Sequence, residues 1–298
     1  MRTPRFTIPI FLVTVPLLVA AVLLVLSGAQ SSAAQSPIPT PFPFQGQKEA
    51  LPPVSVTGVN GIPSQETGQI LFTSGPTWDQ PHDIYVMNED GTNVRRLTNG
   101  PGSSVDGKFS PDGSKIVFAS NRTGSWYIYT MSADGTNVRQ LAPAATWSTI
   151  DSASDWSPDG TMIAYVCRTG GICVMNMDGT NTRQLTLGYD HVPRWSHDGT
   201  RIAYFRYVSG SYQYNYEVYV MNADGSNQVN VTNSPNTCDW LPDWSPDDSK
   251  IAFTRWTTPY EEYIYVMNAD GTDAHAVTGN EYNSHAVWSH DVYFICFY

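Results

Sequence analysis

Charge is scarce in this chain, and basic charge scarcer still. Charged residues make up 14% of the 298, with 16 Lys and Arg against 27 Asp and Glu, a formal net charge of −11. No basic cluster occurs, so a phosphate backbone or an anionic membrane surface meets repulsion rather than a docking patch. Catalytic signatures are missing as well. There is no Gly-x-Ser-x-Gly nucleophile elbow, no His-Glu-x-x-His motif and no glycine-rich phosphate loop opening a helix. The six histidines (His82, His191, His197, His275, His285 and His290) scatter without the spacing of a zinc site. Four cysteines fit an exported chain without demanding a disulfide framework. The expectation is a chain that is not an enzyme, holds no cofactor beyond a weakly bound divalent cation, and has no nucleic-acid partner.

What is present is aromatic and repetitive. Aromatic residues reach 12%, with 17 Tyr and 9 Trp, a composition that suits many short packed strands and argues against disorder. A hairpin unit recurs five times: IYVMNEDGTNVRRLT from Ile84, IYTMSADGTNVRQLA from Ile128, ICVMNMDGTNTRQLT from Ile172, VYVMNADGSNQVNVT from Val218 and IYVMNADGTDAHAVT from Ile264. The spacings of 44, 44, 46 and 46 residues are the length of one four-stranded propeller blade. Between the hairpins lies a second unit, seen in DGKFSPDGSKIVFAS, SDWSPDGTMIAYVC, PRWSHDGTRIAYFR and PDWSPDDSKIAFTR, with a degraded copy, AVWSHDVYFICFY, at the end. Each copy reads as a short strand, a Ser-Pro-Asp-Gly type turn and a strand apolar on both faces, which must be covered on both faces. Alternation of Ala with large aromatics in that strand suits close stacking of neighbouring sheets.

Taken together, WSPDGxxIAF followed by IYVMNxDGxNxRxLT resembles the repeats of the TolB β-propeller family, over roughly residues 69 to 298. The resemblance implies an all-β propeller of four-stranded blades, six in number, in a domain that is periplasmic in the namesake and binds partner proteins there. Related propellers also occur as non-catalytic domains of serine peptidases. The namesake's α/β N-terminal domain has no counterpart here, so its envelope role does not transfer directly. Six blades require Val54–Val59 and neighbours to complete a blade with the C-terminal strands, closing the ring by pairing both termini. The alternative is five blades, with the Trp288 strand paired to Gln69–Ser74.

Residues 1–34 read as an export signal: Arg2 and Arg5, an apolar run from Ile8 to Leu26, then small residues. An uncleaved anchor is the other reading, because nineteen residues (Ile8 to Leu26) just span a bilayer. Residues 35–53 are a Pro-rich linker, and 54–298 the propeller. Cleavage removes two arginines and leaves 14 bases against 27 acids, or −13. The chain is therefore expected to be extracytoplasmic: secreted, periplasmic or tethered outside the cytoplasmic membrane, touching the membrane only through an uncleaved leader, and monomeric.

Two sets of residues are candidates for binding. At the channel mouth, just before each innermost strand, stand His82, Asp83, Asp151, Asp155, Asp190, His191, Arg194, Asp239, Asp243 and His285. In Tyr-rich insertions between second and third strands stand Tyr207, Tyr212, Tyr214, Tyr216 and Tyr260, whose rings offer contact area at small entropic cost. Both sets point to a protein or peptide partner, with a glycan as alternative; a hydrolase or lyase at the mouth, or an accessory module of a peptidase- or sensor-like system, are the competing functions. The recurrent turn aspartates, Asp90, Asp134, Asp178, Asp224 and Asp270, lie one per blade and are read as turn formers. Cys167 and Cys173 flank one tight turn, within reach of a cross-strand disulfide.

Overall fold

The computed structural model describes residues 68–75, 80–88, 90–143, 154–208, 215–258, 261–279, 286–288 and 295–296. They form antiparallel sheets in chain order. The first has β1 (Gln69–Ser74), β2 (Asp83–Asn88) and β3 (Arg95–Arg96). Four-stranded sheets follow: β4 (Ser104–Phe109) to β7 (Arg139–Pro143) through β5 (Lys115–Ser120) and β6 (Tyr127–Ser132); then β8 (Ser154–Trp156), β9 (Met162–Val166), β10 (Ile172–Asn176) and β11 (Arg183–Gln184). The fourth comprises β12 (Asp190–Trp195), β13 (Arg201–Tyr207), β14 (Tyr216–Asn222) and β15 (Val229–Asn230). The fifth comprises β16 (Cys238–Trp244), β17 (Lys250–Thr258), β18 (Glu261–Asn268) and β19 (His275–Ala276). A two-strand pair, β20 (Val287–Trp288) and β21 (Ile295–Cys296), ends the chain.

This is a five-bladed propeller, which corrects the expectation of six blades closed by joined termini. Among the described residues β1 pairs with β2 alone, in the register Gln69↔Asn88 to Ser74↔Asp83. The Trp288 strand does not reach β1 either. Its ladder is taken by the chain's own end, as Val287↔Cys296 and Trp288↔Ile295. Val54–Val59, the signal segment and the Pro-rich linker lie outside the described residues. Among those described, no helix is long and apolar enough to cross a membrane.

The repeat residues explain the blades. In the turn after β4, Gly113 (φ 66°) donates to the Ser110 carbonyl, while the Asp112 carboxylate accepts from the Ser110 hydroxyl and the Ser114 N–H at 2.6 and 3.0 Å. Asp159, Asp198 and Asp247 repeat the arrangement. In the outer hairpins Asp90, Asp134, Asp178, Asp224 and Asp270 each hold the Thr or Ser two positions on. The closing threonine has its own task. Thr98, Thr186, Thr232 and Thr278 accept a backbone N–H from the strand that enters the hairpin, that of Ile84, Ile172, Val218 and Ile264, at 2.8 to 3.0 Å. In the second blade Ala142 has no hydroxyl to offer, and backbone pairing runs further instead, through Ile128↔Ala142 to Tyr127↔Pro143.

The core lies in the seams between blades. Ile116 to Ala119, Ile163, Ala164, Ile202 to Tyr204 and Ile251 to Phe253 are all 0% exposed. The aliphatic-alanine-aromatic strand thus sits between two neighbours. Ala164 of one blade, for example, belongs to the same cluster as Ile202 and Tyr204 of the next. Burial of this kind contributes roughly 25 cal/mol per Å². The Cys167 and Cys173 sulfurs are joined, and the hairpin they close is pressed onto the next connection. At Gly171 (φ 79°) a β-carbon would stand 2.2 Å from the Thr186 carbonyl oxygen, so only glycine fits. Cys238 is free and buried.

Candidate partner-binding face and charged channel

The innermost strands of successive blades meet around the ring axis. The residue just before the recurring aromatic of each, at Phe109, Trp156, Trp195 and Trp244, is in turn Lys108, Asp155, Arg194 and Asp243. Basic and acidic blades therefore alternate around the channel. Lys108 Nζ reaches Asp155 Oδ1 across a seam at 2.8 Å, and Arg194 Nε stands 4.0 Å from Asp243. The alternation extends to the seams. Where the preceding blade supplies a base, its backbone carbonyl accepts the next tryptophan's indole N–H, Trp156 to Lys108 and Trp244 to Arg194, both at 3.1 Å. Where it supplies an acid, the carboxylate takes the next tryptophan's backbone N–H instead: Asp155 from Trp195 at 2.8 Å, Asp243 from Trp288 at 2.9 Å. Among the described residues the indole nitrogens of Trp195 and Trp288 are then left buried without a partner. Asp155 thereby ties three blades together.

Asp106 is the exception in this channel. It accepts no hydrogen bond among the described residues, and its Oδ2 is closed off from water. The charges facing it are Lys108 and Arg194, which lower its pKa only in part; burial dominates and lifts the carboxyl to about 7. Burial likewise holds the Lys108 ammonium below its ordinary range, assisted by Arg194 and opposed by Asp155 and Asp243. Asp243 is raised by burial and relieved chiefly by Arg194.

The structure sorts the other mouth candidates differently. Asp190 and Asp239, both fully buried, receive bidentate arginines from the neighbouring strand of their own blade: Arg206 at 2.6 and 2.9 Å, Arg255 at 2.7 Å twice. Each guanidinium also lies over two rings, Arg206 over Tyr204 and Tyr219, Arg255 over Phe253 and Tyr265. These acids clamp blades rather than face the channel ring. Asp83 does the same with Arg96 and the Thr98 hydroxyl. His82 is half-buried, its N–H bonded to the Ser103 hydroxyl. His191 stacks on Phe205 at 5.1 Å, edge-on to Tyr216. Asp151 and His285 lie outside the described residues. So the channel assembles Asp155, Arg194 and Asp243 from that set, and adds Asp106 and Lys108.

At the end of the ring where β12 begins, the fourth blade carries an apolar and aromatic patch. Leu187 and Tyr189 are 85% and 66% exposed in the connection entering the blade. Tyr189 meets Tyr207 edge-on at 6.4 Å, and Tyr207 meets Tyr216 at 5.7 Å across the β13–β14 ladder. Tyr212, Tyr214 and Tyr260 lie outside the described residues. Sequence inspection missed Leu187 and Tyr189 because they follow the repeat's closing threonine, where length and composition vary from blade to blade. Among the described residues no group of three or more His, Cys, Asp and Glu is arranged to hold a metal ion. The turn aspartates are spent on their own hydroxyls and amides.

Comparison with known proteins agrees with this architecture. A TolB homolog from Chlorobium luteolum is 37% identical over 73 residues, 24% of this chain and 16% of the relative. The Tol-Pal system protein TolB of Helicobacter hepaticus is 48% identical over 42 residues, 14% of this chain and 10% of the relative. The matched segments thus span less than a fifth of either relative's length. Among solved structures, TolB from Acinetobacter baumannii superposes with a TM-score of 0.60 at 16% identity, covering 75% of this chain and 57% of that one. An oligogalacturonate lyase from Vibrio parahaemolyticus gives 0.57 at 13% identity, covering 75% and 65%. At such identities the likeness is one of fold. The TolB beta propeller domain model matches residues 47–211, more than half of the 298, and the chain belongs to that family.

Proposed function

We propose that this chain is an exported, non-catalytic binding propeller that receives a protein or peptide at the mouth of the charged channel, on the face carrying Leu187, Tyr189 and Tyr207. One observation carries the reading. In a chain with net charge −11, Leu187 and Tyr189 stand 85% and 66% exposed on one face, with Tyr189 edge-on to Tyr207. Such patches on soluble domains mark contact surfaces, and tyrosine supplies contact area at little entropic cost. The naming of relatives as Tol-Pal system proteins supports a partner of protein nature. In this reading residues 1–34 are a leader and 35–53 a tether, so that the propeller works outside the cytoplasm, and it does so as a monomer. The test is site-specific photocrosslinking in the native host, with the probe at Tyr189 and a control probe at Thr180 on the opposite end of the ring. A discrete adduct from Tyr189 and none from Thr180 is expected; equal labelling from both sinks the reading.

A second reading rests on Asp106. A carboxyl held near neutrality beside Lys108 and Arg194 is suited to general acid–base chemistry, as in a hydrolase or lyase at the mouth. Turnover of oligogalacturonate or of a peptide library by the purified chain, abolished in Asp106→Asn with the fold intact, would establish it; no turnover of either leaves the binding reading.

A further inference from the structure

The inner strands β4, β12 and β16 share one irregularity. Their pairing slips by a residue between Val105 and Lys108, His191 and Arg194, and Trp240 and Asp243. Inside each slip one residue takes a positive φ: Asp106 at 55°, Val192 at 50° and Leu241 at 53°. Val192 and Leu241 fill that place with buried hydrocarbon. Asp106 puts a carboxylate there, with no hydrogen-bond donor to meet it. The fold builds the same bulge from Val or Leu, so the geometry does not require the charge, and leaving the shut-off Oδ2 unpaired opposes folding.

We infer that Asp106 is the seat of a primary ammonium group, such as a lysine side chain or N-terminal amine of the partner, inserted into the channel. Charge balance selects the ligand. Among the described residues the channel holds Asp106, Asp155 and Asp243, three negative charges when ionised, and Lys108 and Arg194, two positive ones. One added positive charge brings the group to neutrality, whereas a divalent cation overshoots, pressed against Lys108 and Arg194. Geometry selects the kind of monocation. Asp106 Oδ2 is closed off, so one oxygen remains to accept. That suits the point charge of an ammonium rather than the two-pronged guanidinium. Asp155 and Asp243 are occupied by Lys108, Arg194 and the tryptophan N–H groups, so they do not compete for the ligand. A proton is the rival occupant, and the ammonium must displace it.

The inference rests on the binding reading above but is tested without any partner. n-Propylammonium chloride is titrated into the full chain at pH 8 and pH 6, at constant ionic strength, with heat as the readout. With the carboxyl titrating at about 7, its ionised fraction falls from about nine-tenths to about one-tenth, so binding is expected to weaken about tenfold at pH 6. Asp106→Leu, which copies Leu241, is expected to lose binding at both pH values, and Asp106→Asn serves if the leucine variant fails to fold. Equal affinity at the two pH values, binding retained in the variant, an equal response to potassium chloride, or no binding at 100 mM (roughly the ceiling for a single exposed ion pair) would each overturn the assignment. Failure here leaves the Tyr189 crosslink untouched, and failure of the crosslink leaves the titration standing.

Discussion

Asp112 and Asp106 lie six residues apart and face opposite environments. Asp112 sits in an open turn, where the Ser110 hydroxyl, then the Ser114 N–H and hydroxyl, stabilise its charge and hold its pKa below the ordinary value. Asp106 sits half-buried in the channel wall, its Oδ2 shut off from water with no donor in its place, and desolvation raises its pKa to about 7. The same side chain is thus a turn former at the rim and a stored cost at the axis. What separates them is the supply of donors, since a carboxylate is stable wherever amides and hydroxyls take the place of water. Asp190 and Asp239 show the third solution: full burial with an arginine fork.

Substitutions can break this contrast in order of size. Removing the buried fork partner is the severest. Asp239→Ala leaves Arg255 enclosed against Phe253 and Tyr265 without its counter-ion, and a loss of about 3–5 kcal/mol in urea unfolding is expected. Asp106→Leu moves the other way, stabilising the fold by about 2–4 kcal/mol at pH 8. Its pH dependence fixes the cause. The folded-state pKa is raised, so the carboxyl binds its proton more tightly in the native state. Its contribution is fully present below about pH 4 and is lost as pH rises through about 7. Unfolding free energies of parent and variant should therefore diverge between those values and run parallel above them. A gap independent of pH would place the effect in packing instead.

Thr186→Ala tests the donor supply at the backbone. The Ile172 N–H, fully buried, loses its 2.8 Å acceptor, and about 1–2 kcal/mol should go. The second blade, which already carries Ala142, shows how the chain compensates by extending its ladder; partial repair of that kind would bring the loss to the lower end. Asp159→Asn at the rim should be the mildest change, within about 1 kcal/mol in the same assay, because the amide oxygen still accepts from Ser157 and Thr161. A rim change as large as Asp239→Ala would erase the distinction between rim and axis.

Much of the fold was legible because a propeller writes its plan five times. Turn residues, the two-faced apolar strand and the hairpin spacing recur, and each recurrence has a local cause. The channel was harder to read. Counting alternately along β12, Asp190 and Arg194 are four residues apart and should share a face, as should Asp239 and Asp243 in β16. The bulges between His191 and Arg194 and between Trp240 and Asp243 insert one residue and reverse that parity. Asp190 and Asp239 therefore turn to arginines within their blades while Arg194 and Asp243 turn to the axis. Lys108 and Asp106 escaped notice for a related reason. Their copy carries Phe109 in place of tryptophan, and the position of Asp106 is apolar in its counterparts Val192 and Leu241.

Blade number was also beyond local reading. A strand's sequence carries its preference for being paired, but which edge it pairs with depends on what else comes within reach, and the Trp288 strand met the chain's own end before it met Gln69–Ser74. By itself the sequence determined the all-β repeat, the turn chemistry and the oily seams, since these arise from neighbours a few residues apart. Only the tertiary structure decided the five-bladed count, the alternating ring of Lys108, Asp155, Arg194 and Asp243, and the isolation of Asp106. Those depend on groups forty or more residues apart meeting across seams, where a one-residue slip decides which of them face each other.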